Sequence, residues 1–115
     1  MDIRLKRAYE RPATNDGMRV LVDRIWPRGV SKEDARVDMW LKQIAPSRQL
    51  RKWFGHDPEK WSEFRKKYFE ELQQKDDELS PLREKLKNGR VTLVYGSKEQ
   101  RYNNAVALKE YLQSG

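Results

Sequence analysis

The residues best suited to chemistry lie in one short stretch, Asp23–Gly29, which reads DRIWPRG and directly follows an apolar run. Arg24, Arg28 and Lys32 recur at intervals of four residues. Arginine side chains bind phosphate and carboxylate groups bidentately, and the proline and glycine of the stretch favour a stiff loop that a ligand can approach closely. We therefore predict an anion-binding site with Arg24 and Arg28 as ligand-binding residues. Asp23 is a candidate catalytic base or orienting acid.

Structural roles are the alternative for two residues of this stretch. Arg24 could form an ion pair with Asp23 or Asp38 and so serve the fold alone. Trp26 could stack on a ligand ring, but tryptophan is usually well buried, which favours a role in covering the edge of the core.

Three further residues are candidates for the same site. Ser97 follows the last predicted strand, and Asn103 or Asn104 caps the last predicted helix, with Asn104 as the candidate ligand-binding residue. Backbone N–H groups at such a junction can hold a phosphate, although a plain strand-to-helix turn explains the same residues. His56 stands beside Asp57, and a histidine with a carboxylate is a common proton shuttle, so His56 is the second catalytic candidate. The alternative is that Asp57 caps a helix and His56 is structural.

A separate basic segment indicates nucleic-acid binding. Arg48, Arg51 and Lys52 are followed by Trp53 and Phe54. Bases of single-stranded nucleic acid stack on aromatic rings while their phosphates contact basic side chains. The alternative is that both aromatic residues belong to the core, which their helical spacing favours.

Composition limits the class of protein and the chemistry. The chain has 115 residues, of which 37% are apolar and 37% charged, and its four Trp, five Tyr and three Phe indicate a folded protein. We expect a single α/β domain spanning 1–115. The absence of cysteine excludes disulfides, thiolate catalysis and cysteine zinc sites, and one histidine cannot form a two-histidine metal site. No metal and no cofactor is predicted.

The net charge of +7 is unevenly distributed, since residues 1–55 carry 13 basic and seven acidic side chains. This surplus attracts phosphates, nucleic acid or acidic partners, and improved solubility is the alternative explanation. The first residues contain no apolar signal region, and no apolar run approaches the ~20 residues of a membrane span. We therefore expect a cytoplasmic protein without membrane contact. The sequence does not indicate an oligomeric state.

The apolar pattern predicts the elements that position these residues. It predicts strands over 3–9, 19–23 and 91–95, and helices over 31–44, 47–55, 57–72, 79–89 and 104–112. This order predicts an α/β fold with a small, mainly parallel sheet of about three strands and several packed helices. Ligands of such sheets bind beyond the carboxyl ends of the strands. The residues after the second and third predicted strands should therefore meet at one edge.

Several strings of the sequence resemble the YeaO-like family, the small bacterial and archaeal group called domain of unknown function 488. The resemblance spans about residues 3–112 and rests on VDRIWPRG at 22–29, APS at 45–47, LRKWFGHDP at 50–58, VTLVY at 91–95 and NA at 104–105. It implies a single intracellular α/β domain. It implies no activity and no catalytic residue.

Three hypotheses follow for the function. The first is binding, with or without processing, of a phosphorylated or otherwise anionic, nucleotide-like molecule in a basic pocket at the carboxyl ends of the strands. The second is a basic nucleic-acid-binding module without catalysis. The third is a scaffold that binds a protein partner and uses its charge only for solubility.

Overall fold

A parallel sheet and the helices that connect its strands form the fold. The computed structural model describes residues 1–114. Its strands are β1 (Ile3–Arg7), β2 (Met18–Leu21), β3 (Met39–Trp40) and β4 (Val91–Tyr95). Its α-helices are α1 (Lys32–Ala35), α2 (Arg48–Phe54), α3 (Trp61–Gln73), α4 (Asp76–Asn88) and α5 (Asn104–Ser114), and short 3-10 turns cover Thr14–Asp16, Lys42–Ile44 and Pro58–Lys60.

The four strands are all parallel and lie in the order β1-β4-β2-β3. β4 lies inside the sheet and is buried along its whole length, as its continuous apolar run predicts. Ile3 pairs with Val91 and Leu21 with Val94, so β1, β4 and β2 end at the same edge. The predicted α/β class with a small parallel sheet is confirmed, and the sheet has one more strand, β3, than the sequence pattern indicates.

The core lies mainly on one face of the sheet. Helices α2 to α5 pack there, against side chains of β2 and β4 that include Val20 and Leu93. A smaller cluster of Leu21, Val94 and Ala8 on the other face is covered by Trp26 and by other partly buried side chains. The two faces of β2 are therefore both covered, which explains why its apolar residues are consecutive.

The helix predicted over 31–44 is wrong. Helix α1 ends at Ala35, and Arg36 takes the left-handed conformation with φ of 48°. The backbone N–H of Asp38 then donates to the carbonyl of Arg19, and that of Leu41 donates to Leu21. The helical spacing of the apolar residues is overridden because the outer edge of β2 needs hydrogen-bond partners, which β3 supplies.

The other helix boundaries agree better with the sequence. Ser47 caps α2, and its Oγ accepts a hydrogen bond from the N–H of Leu50. Asp57 caps the 3-10 turn that leads into α3. The polar run read as a break before Pro81 is wrong, because α4 already begins at Asp76 and its acidic residues occupy the first turn, where they favour the helix dipole.

No helix within residues 1–114 combines the length and apolar character that crossing a membrane requires.

Candidate functional site

A cleft of about 350 Å³ opens at the carboxyl ends of β2 and β4. The six residues predicted for the first hypothesis all line it: Asp23, Arg24, Arg28, His56, Ser97 and Asn104. The predicted meeting of the two strand exits is confirmed, since the backbone N–H of Gly96 donates to Asp23 Oδ2 at 2.8 Å. What these residues do in the cleft stays a prediction.

Asp23 is the carboxylate of this cleft. Its Oδ1 accepts a hydrogen bond of 3.0 Å from Asn104 Nδ2, which also donates to the carbonyl of Val22 at 3.1 Å. Burial raises the pKa of Asp23 above its ordinary value of 3.8, against the opposing effect of the donors Asn104 and Gly96 and of the charge of Arg51. Two donors from different elements therefore hold the carboxylate in one orientation.

Arg24 is a partly buried cation without an anionic partner. Its Nη2 donates only to two backbone carbonyls, Pro46 at 3.3 Å and Ala45 at 3.5 Å. Its Nε is buried and has no hydrogen-bond acceptor among residues 1–114. The predicted alternative of an ion pair with Asp23 or Asp38 is wrong, because Arg24 is in none of the ion pairs of the described chain.

Two exposed arginines complete the cationic lining, Arg28 after β2 and Arg51 on α2. Neither forms an ion pair within residues 1–114. Arg51 was predicted only for nucleic-acid binding, and the sequence analysis missed its place in this cleft. The spacing could have indicated this place, because Arg51 lies three residues before Phe54 on one helix and therefore shares a helix face with it.

His56 lines the cleft from a left-handed backbone conformation. Its φ is 59° and follows Gly55 at 52°. This conformation costs a residue other than glycine of order 1–3 kcal/mol. The interpretation of Asp57 as a cap is confirmed, since its Oδ1 accepts from the N–H of Glu59 at 3.0 Å. Asp57 is thereby committed to the helix start, and the chain turns sharply to present His56 at the cleft.

Aromatic residues form the apolar part of the lining. Phe54 and Phe64 stack with ring centroids 4.3 Å apart, and both are buried in the core behind the cleft. Trp26 lines the cleft while it covers the cluster around Leu21, so its predicted place at the edge of the core is confirmed. Its indole N–H donates to the carbonyl of Val30 at 2.7 Å, which fixes the loop.

One chain of contacts ties the two loops that flank the cleft, and we call it the Arg7–Tyr9 brace. Arg7 Nε donates to the carbonyl of Ser97 at 2.9 Å, and its guanidinium lies 5.0 Å from the ring centre of Tyr9. Tyr9 Oη in turn donates to the carbonyl of Arg28 at 2.9 Å. The loop after β4 is thus fastened to the last residue of β1, and the loop after β2 is fastened to Tyr9, two residues further on.

Within residues 1–114, no three or more His, Asp and Glu side chains lie close enough together to hold a metal ion.

A family model described as "Inactive DUF488-N3 subclade" matches residues 2–115. The chain belongs to this DUF488 family. It is 40% identical over 114 residues to an uncharacterized protein called YeaO of Escherichia coli K12, a match that covers 99% of each chain. It is 42% identical over 110 residues to uncharacterized proteins of Mycobacterium bovis and Mycobacterium tuberculosis H37Rv, covering 96% of this chain and 92% of theirs. No solved structure matches the chain significantly.

The basic segment of this DUF488 chain divides between two surroundings. Arg48 and Lys52 are exposed and lie outside the cleft that Arg51 lines. Trp53 is flanked by the ammonium groups of Lys60 and Lys67, at 5.2 and 5.0 Å from its ring centre, and Phe54 is buried. The two aromatic residues are therefore engaged within the fold, as the structural alternative predicted, and nucleic-acid binding through the basic residues stays a prediction.

Proposed function

We propose that this protein binds a phosphorylated, nucleotide-like small molecule in the cleft at the carboxyl ends of β2 and β4, without transforming it. The observation that carries the proposal is the guanidinium of Arg24, partly buried in the cleft with no carboxylate partner and with an unpartnered Nε. A buried charge without a partner is costly, and a bound anion removes that cost.

The other cations of the cleft support the same ligand class. Arg28 and Arg51 are exposed and free of ion pairs among the described residues, so their donors remain available to a ligand. A phosphate group offers several acceptor oxygens to guanidinium groups, and each charge-assisted bond is stronger than a neutral one. Arg24, Arg28 and Arg51 all line the cleft, so a phosphate bound there would offer acceptors to these cations.

The size and the apolar lining favour a ligand larger than an inorganic anion. The cleft of about 350 Å³ falls at the lower end of the roughly 300–1,000 Å³ typical of small-molecule sites. Phe54, Phe64 and Trp26 line it beside the cations. A phosphate joined to a flat ring, as in a mononucleotide, matches both kinds of lining.

Binding without transformation is supported by the family and by the local chemistry. The matching subclade is described as inactive. Asp57, the predicted partner of His56, is used as a helix cap. Asp23 is held by two donors, which suits recognition of a ligand.

The test is calorimetric titration with inorganic phosphate and with mononucleotides, using two matched variants of α2. Arg51→Ala removes a cation of the cleft, whereas Arg48→Ala removes an exposed cation three residues away that does not line it. We expect Arg51→Ala to weaken nucleotide binding at least about tenfold, the value of one charge-assisted hydrogen bond, and Arg48→Ala to have no effect.

Two outcomes would overturn the proposal. If no nucleotide and no phosphate binds the wild-type protein at low salt, the cleft is not an anion site. If oligonucleotides bind instead, with equal losses in Arg48→Ala, Arg51→Ala and Lys52→Ala and a steep dependence on salt, the nucleic-acid module is the better description.

A further inference from the structure

The carboxylate of Asp23 provides two acceptor positions that the fold leaves unused. Each of its oxygens accepts one hydrogen bond, Oδ1 from Asn104 and Oδ2 from Gly96. A carboxylate oxygen has room for a second donor, and Asp23 forms no ion pair within residues 1–114. Asp23 therefore presents a fixed pair of acceptors to the cleft that it lines.

A ligand that fills the cleft must differ at its two ends. The anionic end belongs among the arginines, since a phosphate beside Asp23 would be repelled by a like charge. The end at Asp23 must bring hydrogen-bond donors, because a ligand acceptor there would face the lone pairs of the carboxylate oxygens with no proton between them. Two neighbouring donors on a flat edge match the two carboxylate oxygens best.

Among the common bases, this requirement selects guanine. Its Watson–Crick edge carries N1–H and the N2 amino group side by side. Hypoxanthine keeps N1–H alone, and adenine pairs its single amino donor with the acceptor N1. We infer that the ligand is a guanine nucleotide, with the base edge on Asp23 and the phosphate between Arg24, Arg28 and Arg51. This inference rests on the proposed function and names its ligand.

Asn104 acts as a positioning residue for this recognition. Its amide nitrogen donates to both the carbonyl of Val22 and Asp23 Oδ1, which joins the start of α5 to the end of β2. The carboxylate is consequently fixed before a ligand arrives. Such preset geometry is what allows a hydrogen-bonding site to reject a ligand whose edge does not match.

The first experiment measures the affinities of GMP, IMP and AMP for the wild-type protein by calorimetry. GMP brings two hydrogen-bond donors to Asp23, and IMP brings one. AMP brings one donor together with an acceptor that faces the carboxylate. We expect at least about tenfold weaker binding of IMP than of GMP, and still weaker binding of AMP. Equal affinities for GMP and AMP, with binding still lost in Arg51→Ala, would overturn the guanine inference and leave the proposed function intact. Absence of binding by every nucleotide would overturn both.

The second experiment changes the acceptor pair. Asp23→Asn replaces one of the two acceptors by a donor, which opposes a donor of the guanine edge, so we expect the preference for GMP over AMP to be lost. Asp77→Asn on α4, an exposed position outside the cleft, is the matched control and should keep the preference for GMP. Retention of the GMP preference by a folded Asp23→Asn protein would overturn the inference. If Asp23→Asn does not fold, the affinities of the wild-type protein for GMP, IMP and AMP test the guanine inference by themselves.

Guanine can also come from nucleic acid, where it offers the same donors. Competition with bound GMP by a single-stranded oligonucleotide ending in guanosine separates the two sources. Displacement at concentrations near those of GMP assigns the site to a strand end, and failure to displace assigns it to the free nucleotide. The same oligonucleotide ending in adenosine serves as the control and should displace GMP poorly.

Discussion

Charged side chains gather at both ends of the parallel sheet, but they are arranged in opposite ways. At the amino end, Asp16 forms ion pairs with Arg19 at 2.7 Å and with Lys6 at 3.2 Å, and Asp2 bonds to Arg90 at 2.7 Å. At the carboxyl end, the three arginines of the cleft have no such partner among residues 1–114. One end neutralises its charges internally, and the other leaves them available.

The amino end shows what charged residues look like when they serve the fold. Arg19 is 3% exposed, and besides Asp16 it donates twice to the carbonyl of Ala35, from Nε and from Nη2. Every donor group it buries thus has a use in joining β2 to α1. Arg24, on the continuation of the same strand, has a buried Nε with no acceptor. Under the proposed function, a bound anion would supply the acceptor that Arg24 Nε lacks within residues 1–114.

The largest effect is expected at the amino end. Asp16→Ala leaves the guanidinium of Arg19, whose side chain is 4% exposed, without its carboxylate. Breaking a buried pair in this way costs roughly 3–5 kcal/mol of unfolding free energy. Chemical denaturation measures it, with Asp2→Ala as a control at an exposed pair, which should cost far less stability than Asp16→Ala. A loss below about 1 kcal/mol for Asp16→Ala would contradict the assigned role of this end.

At the carboxyl end of the sheet, we expect a substitution of Arg24 to change stability little and to weaken ligand binding strongly. Arg24→Met keeps the length of the side chain and removes a charge that has no ion pair, so the unfolding free energy should change by less than about 1 kcal/mol. Phosphate and nucleotide affinity should fall at least about tenfold, as titration calorimetry would show. A loss of more than about 2 kcal/mol in stability would instead make Arg24 structural, like Arg19.

The stability contributed by the two ends of the sheet should also respond oppositely to acid. We expect this effect to be the smallest of those predicted here. Burial alone would raise the pKa of Asp16, but hydrogen bonds from the Ala13 amide, Lys6 and Arg19 hold this pKa below its ordinary value of 3.8. The contribution of Asp16 to stability is therefore lost as the pH falls below that value. Burial raises the pKa of Asp23, so stability should increase as pH falls from neutral through that raised pKa.

Denaturation of the wild type and of Asp23→Asn between neutral pH and pH 4 tests the part of this opposition that belongs to Asp23. The variant lacks the titrating carboxyl and should lose the increase in stability on acidification. An identical pH profile for the two proteins would show that Asp23 does not titrate differently in the folded and unfolded chain.

The place of the cleft could be predicted from sequence because it depends on two apolar runs and on one general rule of parallel sheets. The runs predict β2 and β4, and parallel strands bring Asp23 and Gly96 to one edge. β3 could not be predicted, because the periodicity around Trp40 is helical and only the unpaired edge of β2 reveals its use. The partner of Arg19 could not be predicted either, since spacing does not say which of several acids a long side chain reaches.

The Arg7–Tyr9 brace has a consequence for the energetics of binding. Because it links the loop bearing Ser97 to Arg7 and the loop bearing Arg28 to Tyr9, which lies just beyond β1, these two walls cannot move apart without breaking its contacts. The backbone of these walls is preorganised, so less backbone entropy is lost when a ligand arrives. The third wall, where α2 ends at Gly55 and His56, lies outside this brace.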